Sequence, residues 1–455
     1  MTNNIYKLTH SAVFKFYKSY TRPATHYACL HFWLVKGLGV IYLIAFLSLL
    51  SQVEGLYGVD GIINLHEVVQ SAQEKHISWW QWPHFFIAGS SQHLTLITCI
   101  GVIASIGLIL GVIPIFSAFF CWAIYLSFVN YGLIFMSFQW DILLIEIGFL
   151  MLFALPWCTF WSRSKPFAPP TWVIFGFWVC LTRLMLTSAA VKWVSKDSYW
   201  REFTALSVHY FTQPLPHKVS WFIHQAPQWF HKLSVIIMFL IEGFIPFLIF
   251  TTRNLRAIAG LCIGALMILM MGTGNYCFFN LLTCLLAAYL FDDRFFTKKT
   301  YHIPASKFNG FRSIVAIMLI VIGLTQDLNR FIPNQAILRK LTQQFQFLQG
   351  FRCVNQYGLF ATMTKHRREI DIWGSLDGNE WEPYQFKFKP NNKQDAPRWT
   401  FFHQPRLDWQ LWFVALRGYS EQSWIHSLTT ALFQQSKPVE QLFETVPFKD
   451  TPPNY

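Results

Sequence analysis

Residues 94–137 read LTLITCIGVIASIGLILGVIPIFSAFFCWAIYLSFVNYGLIFMS, a run with no Asp, Glu, Lys, Arg or His. A helix needs about 20 mostly apolar residues to cross the roughly 30 Å hydrocarbon core of a bilayer, because lipid offers backbone N–H and C=O groups no partner. This run holds two such spans, 94–113 and 115–137. Working outward, further candidates occupy 34–50, 141–161, 172–190, 233–250, 257–272, 274–291 and 312–325. The expected fold is an α-helical multi-pass membrane bundle of about nine spans. Composition agrees: 53% of the chain is apolar and 13% is charged, about half the share usual in soluble domains. That balance excludes a soluble globule and disorder. The basic residues lie between apolar runs rather than in one patch, so no nucleic-acid partner is expected.

Lys and Arg in short loops collect on the cytoplasmic side. A cytoplasmic N-terminus puts Lys7, Lys15, Lys18 and Arg22 inside, then Arg163 and Lys165, Arg253 and Arg256, and Arg294, Lys298, Lys299, Lys307 and Arg312. The stretch from His10 to Tyr20 looks amphipathic and precedes the first apolar run, so it is not a cleavable signal. The loops at about 51–93 and 191–232 then face out, as does the tail 351–455. Residues 1–350 carry 24 basic and 12 acidic residues, while the tail carries 12 and 11. The tail also shows period-two runs at Glu369–Trp373 and Tyr384–Phe388, joined by the turn chemistry of Gly374–Gly378. It is expected to be a small β-rich extramembrane domain. The nine cysteines include no CxxC pair and most sit in apolar runs, reading as buried hydrophobes; no metal or cofactor is expected.

Ionisable groups inside spans cost about 2.5–3.5 kcal/mol on insertion scales and are functional candidates. Asp141, Glu146, Arg183 and Glu242 qualify. Glu146 and Arg183 each fall about 10 Å below the outer face at 1.5 Å per residue, so they can pair. The pair either locks two helices or serves binding or catalysis; buried charges most often neutralise one another. Lys192 ends the fifth span. It is either a base with a depressed pKa or, more commonly at a helix end, a snorkelling lysine. His209, His224 and His231 show no metal-ligand spacing and read as interfacial. The Gly107/Gly111 and Gly260/Gly264 spacings allow close helix approach, and Gly272–Asn275 is a tight connection rather than a phosphate loop.

Several stretches together resemble the lipase maturation factor family over nearly the whole chain. They are GLYGVDG from Gly55, QWDILLIEIGF from Gln139, RLML from Arg183 through Val191-Lys192, HYFTQPLP from His209, TGNYCFFN from Thr273, and Asp292-Asp293. In the tail they are NQYGLF from Asn355, REI from Arg368, QPRLDWQLWF from Gln404, and Pro447-Phe448. The motif residues singled out are His209, Tyr210, Gln213, Asn275 and Asn280 in the outer loops, and Asn355, Tyr357, Arg406, Asp408, Trp409 and Trp412 in the tail. This chain departs from the family pattern at Phe211, where the pattern has an acidic residue, and it ends at Tyr455, short of the longer family tail. The resemblance implies a multi-pass protein whose relatives sit in the endoplasmic reticulum and help secreted lipases reach their active fold, with the C-terminal domain engaging the client. A shorter similarity, AAVK at Ala189–Lys192 with Tyr199, Trp200 and His209, points to vitamin K-dependent carboxylases and implies a base role for Lys192.

Two functions follow. One is a membrane-anchored maturation factor for secreted lipases or other exported clients, in which aromatic segments 77–82 and 399–412 contact the client. The other is a carboxylase-like enzyme with Lys192 as base, acting on a lipid-soluble cofactor or a translocated protein. Membrane lipids are partners in both. No Asn-x-Ser/Thr sequon occurs, which favours a bacterial cytoplasmic membrane with a periplasmic tail, or the endoplasmic reticulum membrane in a eukaryote.

Overall fold

Proline marks several helix ends in the computed structural model, which describes residues 21–86, 92–157, 166–299, 306–332, 335–417 and 423–455. The main helices up to residue 331 are α1 Ala28–Leu50, α2 Gln92–Leu110, α3 Pro114–Tyr131, α4 Gln139–Ala154, α5 Thr171–Val194, α6 Gln228–Gly243, α7 Arg253–Thr273, α8 Phe279–Ala288 and α9 Asn309–Phe331. Among the described residues, seven segments are long and apolar enough to cross a membrane: Thr25–Leu50, His93–Leu110, Pro114–Tyr131, Thr171–Val194, Gln228–Phe250, Arg253–Thr273 and Asn309–Phe331. Seven of the expected spans meet that test of length and composition, and the candidates at 141–161 and 274–291 correspond to the shorter α4 and α8. α4 and α8 have 16 and 10 residues, about 24 Å and 15 Å at 1.5 Å per residue. α4 stops because Leu155 precedes Pro156 and is held extended at ψ 153°. α8 starts late because Cys277, at φ 53°, breaks the chain after α7.

The helices alternate in direction and define two ends. At one end, Asp292 pairs with Arg294 at 2.5 Å, Arg253 at 3.4 Å and Arg256 at 3.9 Å. Asp293 accepts from the Cys29 and Leu30 amides at 2.9 and 2.7 Å, capping the start of α1. Arg312 donates to the Phe153 and Leu155 carbonyls at the close of α4. The basic clusters following α6 and α8 therefore share an end with the N-terminus of α1; Lys7, Lys15, Lys18, Arg163 and Lys165 lie outside the described residues. Gly107 and Gly260 allow close packing, since a Cβ would lie 2.7 Å from Ser117 Oγ at the first and 2.8 Å from Phe291 at the second. Gly264 faces open space.

The tail gathers at the opposite end. Its strands β1 Ile372–Gly374, β2 Glu382–Phe386 and β3 Phe443–Thr445 form an antiparallel sheet in the order β1-β2-β3, with Ile372 opposite Tyr384 and Phe386 opposite Phe443. The β1–β2 turn is built as its sequence implies. Asp377 accepts from the Asn379 and Glu380 amides, which hold its carboxyl down at about 2, and Gly378 takes φ 80°. The period-two runs account for β1 and β2 but not for β3, nor for α10 Arg406–Arg417 and α11 Ser423–Phe433. Strands of three, five and three residues make the tail a mixed domain rather than a β-rich one. Tyr384, Phe386, Phe443 and Phe448 pack its inner face. Gly55, just past α1, lets the tail's backbone approach: a Cβ there would lie 2.4 Å from the Pro438 carbonyl. Among the described residues eight cysteines are free thiols, Cys353 in the tail among them.

Candidate functional site

Arg183 of α5 stands between two carboxylates. Its Nη1 donates to Glu146 Oε1 of α4 at 3.0 Å, and its Nε donates to Asp327 Oδ2 of α9 at 2.6 Å. Nη2 donates to Asp327 Oδ1 at 3.3 Å and to the Asn355 carbonyl at 2.8 Å. The other Glu146 oxygen accepts from the Asn355 amide at 2.7 Å, Asn355 Nδ2 at 3.2 Å and the Tyr357 hydroxyl at 2.6 Å. One guanidinium faces two carboxylates, and these donors from the tail stabilise the excess negative charge. Gly323 leaves the room: a Cβ there would lie 2.5 Å from Arg183 Nη1. The sequence points to the Glu146–Arg183 pair but not to Asp327, which falls just past the apolar run of the last span.

Asp141 opens α4 and is fully buried. It takes a two-pronged ion pair from Arg406, at 3.0 Å to Oδ2 and 2.8 Å to Oδ1, and a 2.6 Å hydrogen bond from the Tyr125 hydroxyl. Arg406 also donates through Nη1 to the Phe135 carbonyl and through its amide to Gln52 Oε1. Next to it, Ser48 of α1 hydrogen-bonds His403 Nδ1 at 2.9 Å. Trp409 crosses Trp140 edge to face at 4.8 Å. Asp408 has a role inside the tail, accepting from the Phe388 and Lys389 amides at 2.9 Å each.

A third junction forms on the loop between α5 and α6. The short helix Leu206–Thr212 ends in carbonyls met by side chains of the tail. Arg367 donates to Phe211 at 3.0 Å, to Gln213 and to Pro214 at 3.0 Å, while Trp412 Nε1 donates to Thr212 at 2.8 Å. Four consecutive carbonyls at a helix end are thus satisfied by another domain. Gln213 Oε1 accepts from Tyr276, whose hydroxyl also meets His209 Nε2 at 2.7 Å. Tyr210 is buried, its ring 5.8 Å from His231. Asn275 Nδ2 donates to the carbonyls of Leu215, Pro216 and Arg398, and its Oδ1 accepts from Thr400. Asn280 is fully buried with no partner for its amide among the described residues. Arg367 was not foreseen; its signal was an arginine beside the Arg368–Ile370 motif.

Lys192 is no free amine. Its Nζ donates to both oxygens of Glu242, at 2.9 and 2.6 Å, and lies 5.5 Å over the Trp200 ring. Both carboxylate oxygens of Glu242 are thus committed to this amine, which joins the end of α5 to α6. No cluster of metal ligands occurs among the described residues. The clefts lie elsewhere. One of about 450 Å³ runs between Phe211, Trp221 and His224 on the loop and Arg367, Asp371, Lys393 and Asp395 on the tail.

His403 gives the junction a pH dependence. Burial first, then Arg406 and Lys387, lower its pKa from 6.5 to about 4. The unfolded chain therefore takes up the proton first, and stability falls as pH drops from about 6.5 towards 4. A His403→Gln variant is expected to lose less thermal stability than the wild type between pH 7 and pH 5; an unchanged acid loss would exclude His403 as the source.

Comparison with known proteins completes the picture. Residues 29–298 match a family model described as the lipase maturation factor transmembrane domain, and residues 353–455 match one described as the lipase maturation factor C-terminal domain. A rat protein named lipase maturation factor 2 is 30% identical over 92% of this chain and 78% of its own. Lipase maturation factor 1 of mouse is 29% identical over 95% of this chain and 83% of its own. The human lipase maturation factor 2 is 28% identical over 92% and 77%. No solved structure matches.

Proposed function

This chain belongs to the lipase maturation factor family, and from that premise we propose that it matures secreted lipases as a rigid scaffold in the membrane. The observation that carries this reading is the triple junction: residues with the look of a catalytic set spend their hydrogen bonds joining the tail to the helical bundle. Such a platform presents one fixed surface to a client instead of a reacting centre. The carboxylase-like alternative finds no support in the comparisons, and Lys192 is neutralised by Glu242.

The positive-inside rule, applied to the end that holds Asp292 and its arginines, orients the tail to the exported side. The vertebrate relatives favour the endoplasmic reticulum, with the tail in its lumen, over the bacterial membrane. Exposed Ile103, Leu261 and Leu269, in α2 and α7, face lipid. On the tail side, Trp399 and Phe401 stack at 4.9 Å and are 51% and 65% exposed, beside the cleft. A solvent-facing aromatic pair of this kind suits the apolar segments of an incompletely folded lipase.

Cells lacking the protein, complemented with variants and assayed for secreted lipase activity, test the reading. Replacing the ion pair in Lys192→Met/Glu242→Leu is expected to retain lipase maturation per molecule of scaffold. Normal abundance with no lipase activity would instead assign chemistry to Lys192. Trp399→Ala/Phe401→Ala is expected to lower secreted lipase activity several-fold with abundance unchanged, and wild-type activity would remove this pair from the client surface.

A further inference from the structure

Between α9 and the tail runs the helix Ala336–Gln344, sequence AILRKLTQQ, none of whose residues is buried. At 100° per residue, Ile337, Leu338, Leu341 and Phe345 fall within an arc of about 100°. Arg339, Lys340, Thr342, Gln343 and Gln344 take the rest of the circumference. Ile337 is 73% exposed and Leu341 36%. The protein thus builds a two-faced helix whose apolar face is only partly covered, Leu338 and Phe345 being half-buried and Ile337 and Leu341 exposed.

Both flanks of this helix carry marks of a bilayer boundary. Before it, Leu324 and Leu328 of α9 and Ile332 just past its end, each nearly half exposed, form the span's outer flank. After it, the turn Gln346–Phe351 brings Phe351 to 6.0 Å from both Trp79 and Trp80, and exposed Trp side chains favour the membrane–water interface. Lys340 and Arg339 lie on the polar side, where phospholipid phosphates would sit. We propose that Ala336–Gln344 is an interfacial helix lying in the leaflet on the tail's side, its apolar face at the acyl–headgroup boundary and its cations towards anionic headgroups. The segment anchors the tail to the membrane surface as well as to the bundle, so the client platform sits at the bilayer rather than above it.

The test uses the full chain in lipid nanodiscs at one copy per disc, without client, with nitroxides attached at Leu341→Cys or Gln343→Cys and the unsubstituted chain as background. The Leu341 label is expected to collide more with oxygen than with a water-soluble nickel chelate, and the Gln343 label the reverse. Mixing phosphatidylglycerol into phosphatidylcholine is expected to move the Leu341 label deeper, a shift lost in Lys340→Gln. A Leu341 label exposed to water in both lipids overturns the proposal. So does shielding that appears only with two copies per disc, which assigns the face to a second copy, or only on adding lipase, which assigns it to the client.

Discussion

Arg406→Ala will deplete the folded protein more than removal of any surface charge. The substitution leaves Asp141 fully buried with only the Tyr125 hydroxyl on its carboxylate. Removing one partner of a buried ion pair costs about 3–5 kcal/mol, a large part of the roughly 5–15 kcal/mol that holds a typical domain together. The loss also frees the Phe135 carbonyl that Arg406 occupies. The expected readout is a sharp fall in monodisperse protein after detergent extraction and, in what remains, a tail readily cleaved by protease. The paired change Asp141→Leu/Arg406→Met removes both charges together and is expected to recover most of the yield. If the double variant is as poor as Arg406→Ala, the arginine works through something other than Asp141.

Arg183→Gln will have an effect at least as large, for a different electrostatic reason. It leaves Glu146 and Asp327, both largely buried, without the cation between them. Glu146→Gln acts in the opposite sense, because Arg183 and Asp327 then balance one to one; it is expected to be far milder. Arg183→Lys should not substitute, since one ammonium cannot reproduce four hydrogen bonds to three residues. Gly323→Ala is expected to resemble a weak form of Arg183→Gln, because its methyl group would push the guanidinium out of place. Thermal unfolding in detergent ranks the four. A Glu146→Gln protein as unstable as Arg183→Gln would contradict the charge count.

Much of this was written locally. The run at 94–137 announced spans by its lack of charge, and the clusters around Arg253 and Arg294 do meet at one end of the bundle. Glu146 and Arg183 were legible as a pair because both lie in spans at similar depth. Asp141 and Arg406 were each conspicuous alone, yet 265 residues separate them, and no periodicity connects groups brought together only by the folded chain. Arg367 escaped for the same reason: its partners are backbone carbonyls, which every residue has. α10 and α11 were hidden behind short period-two runs that their own apolar stripes did not outweigh. Lys192 looked like a possible base because Glu242, which neutralises it, lies on another helix.

Asp141 and Glu146 enter the membrane region with α4, whereas Arg406, Asn355 and Tyr357 leave the ribosome more than 200 residues later. Until then Glu146 has Arg183 but lacks the donors on its second oxygen, and Asp141 has the Tyr125 hydroxyl but no cation. Completion of the last domain therefore supplies the final polar contacts of α4. A polypeptide cut short before residue 406 is expected to keep Asp141 buried in the bundle without its cation.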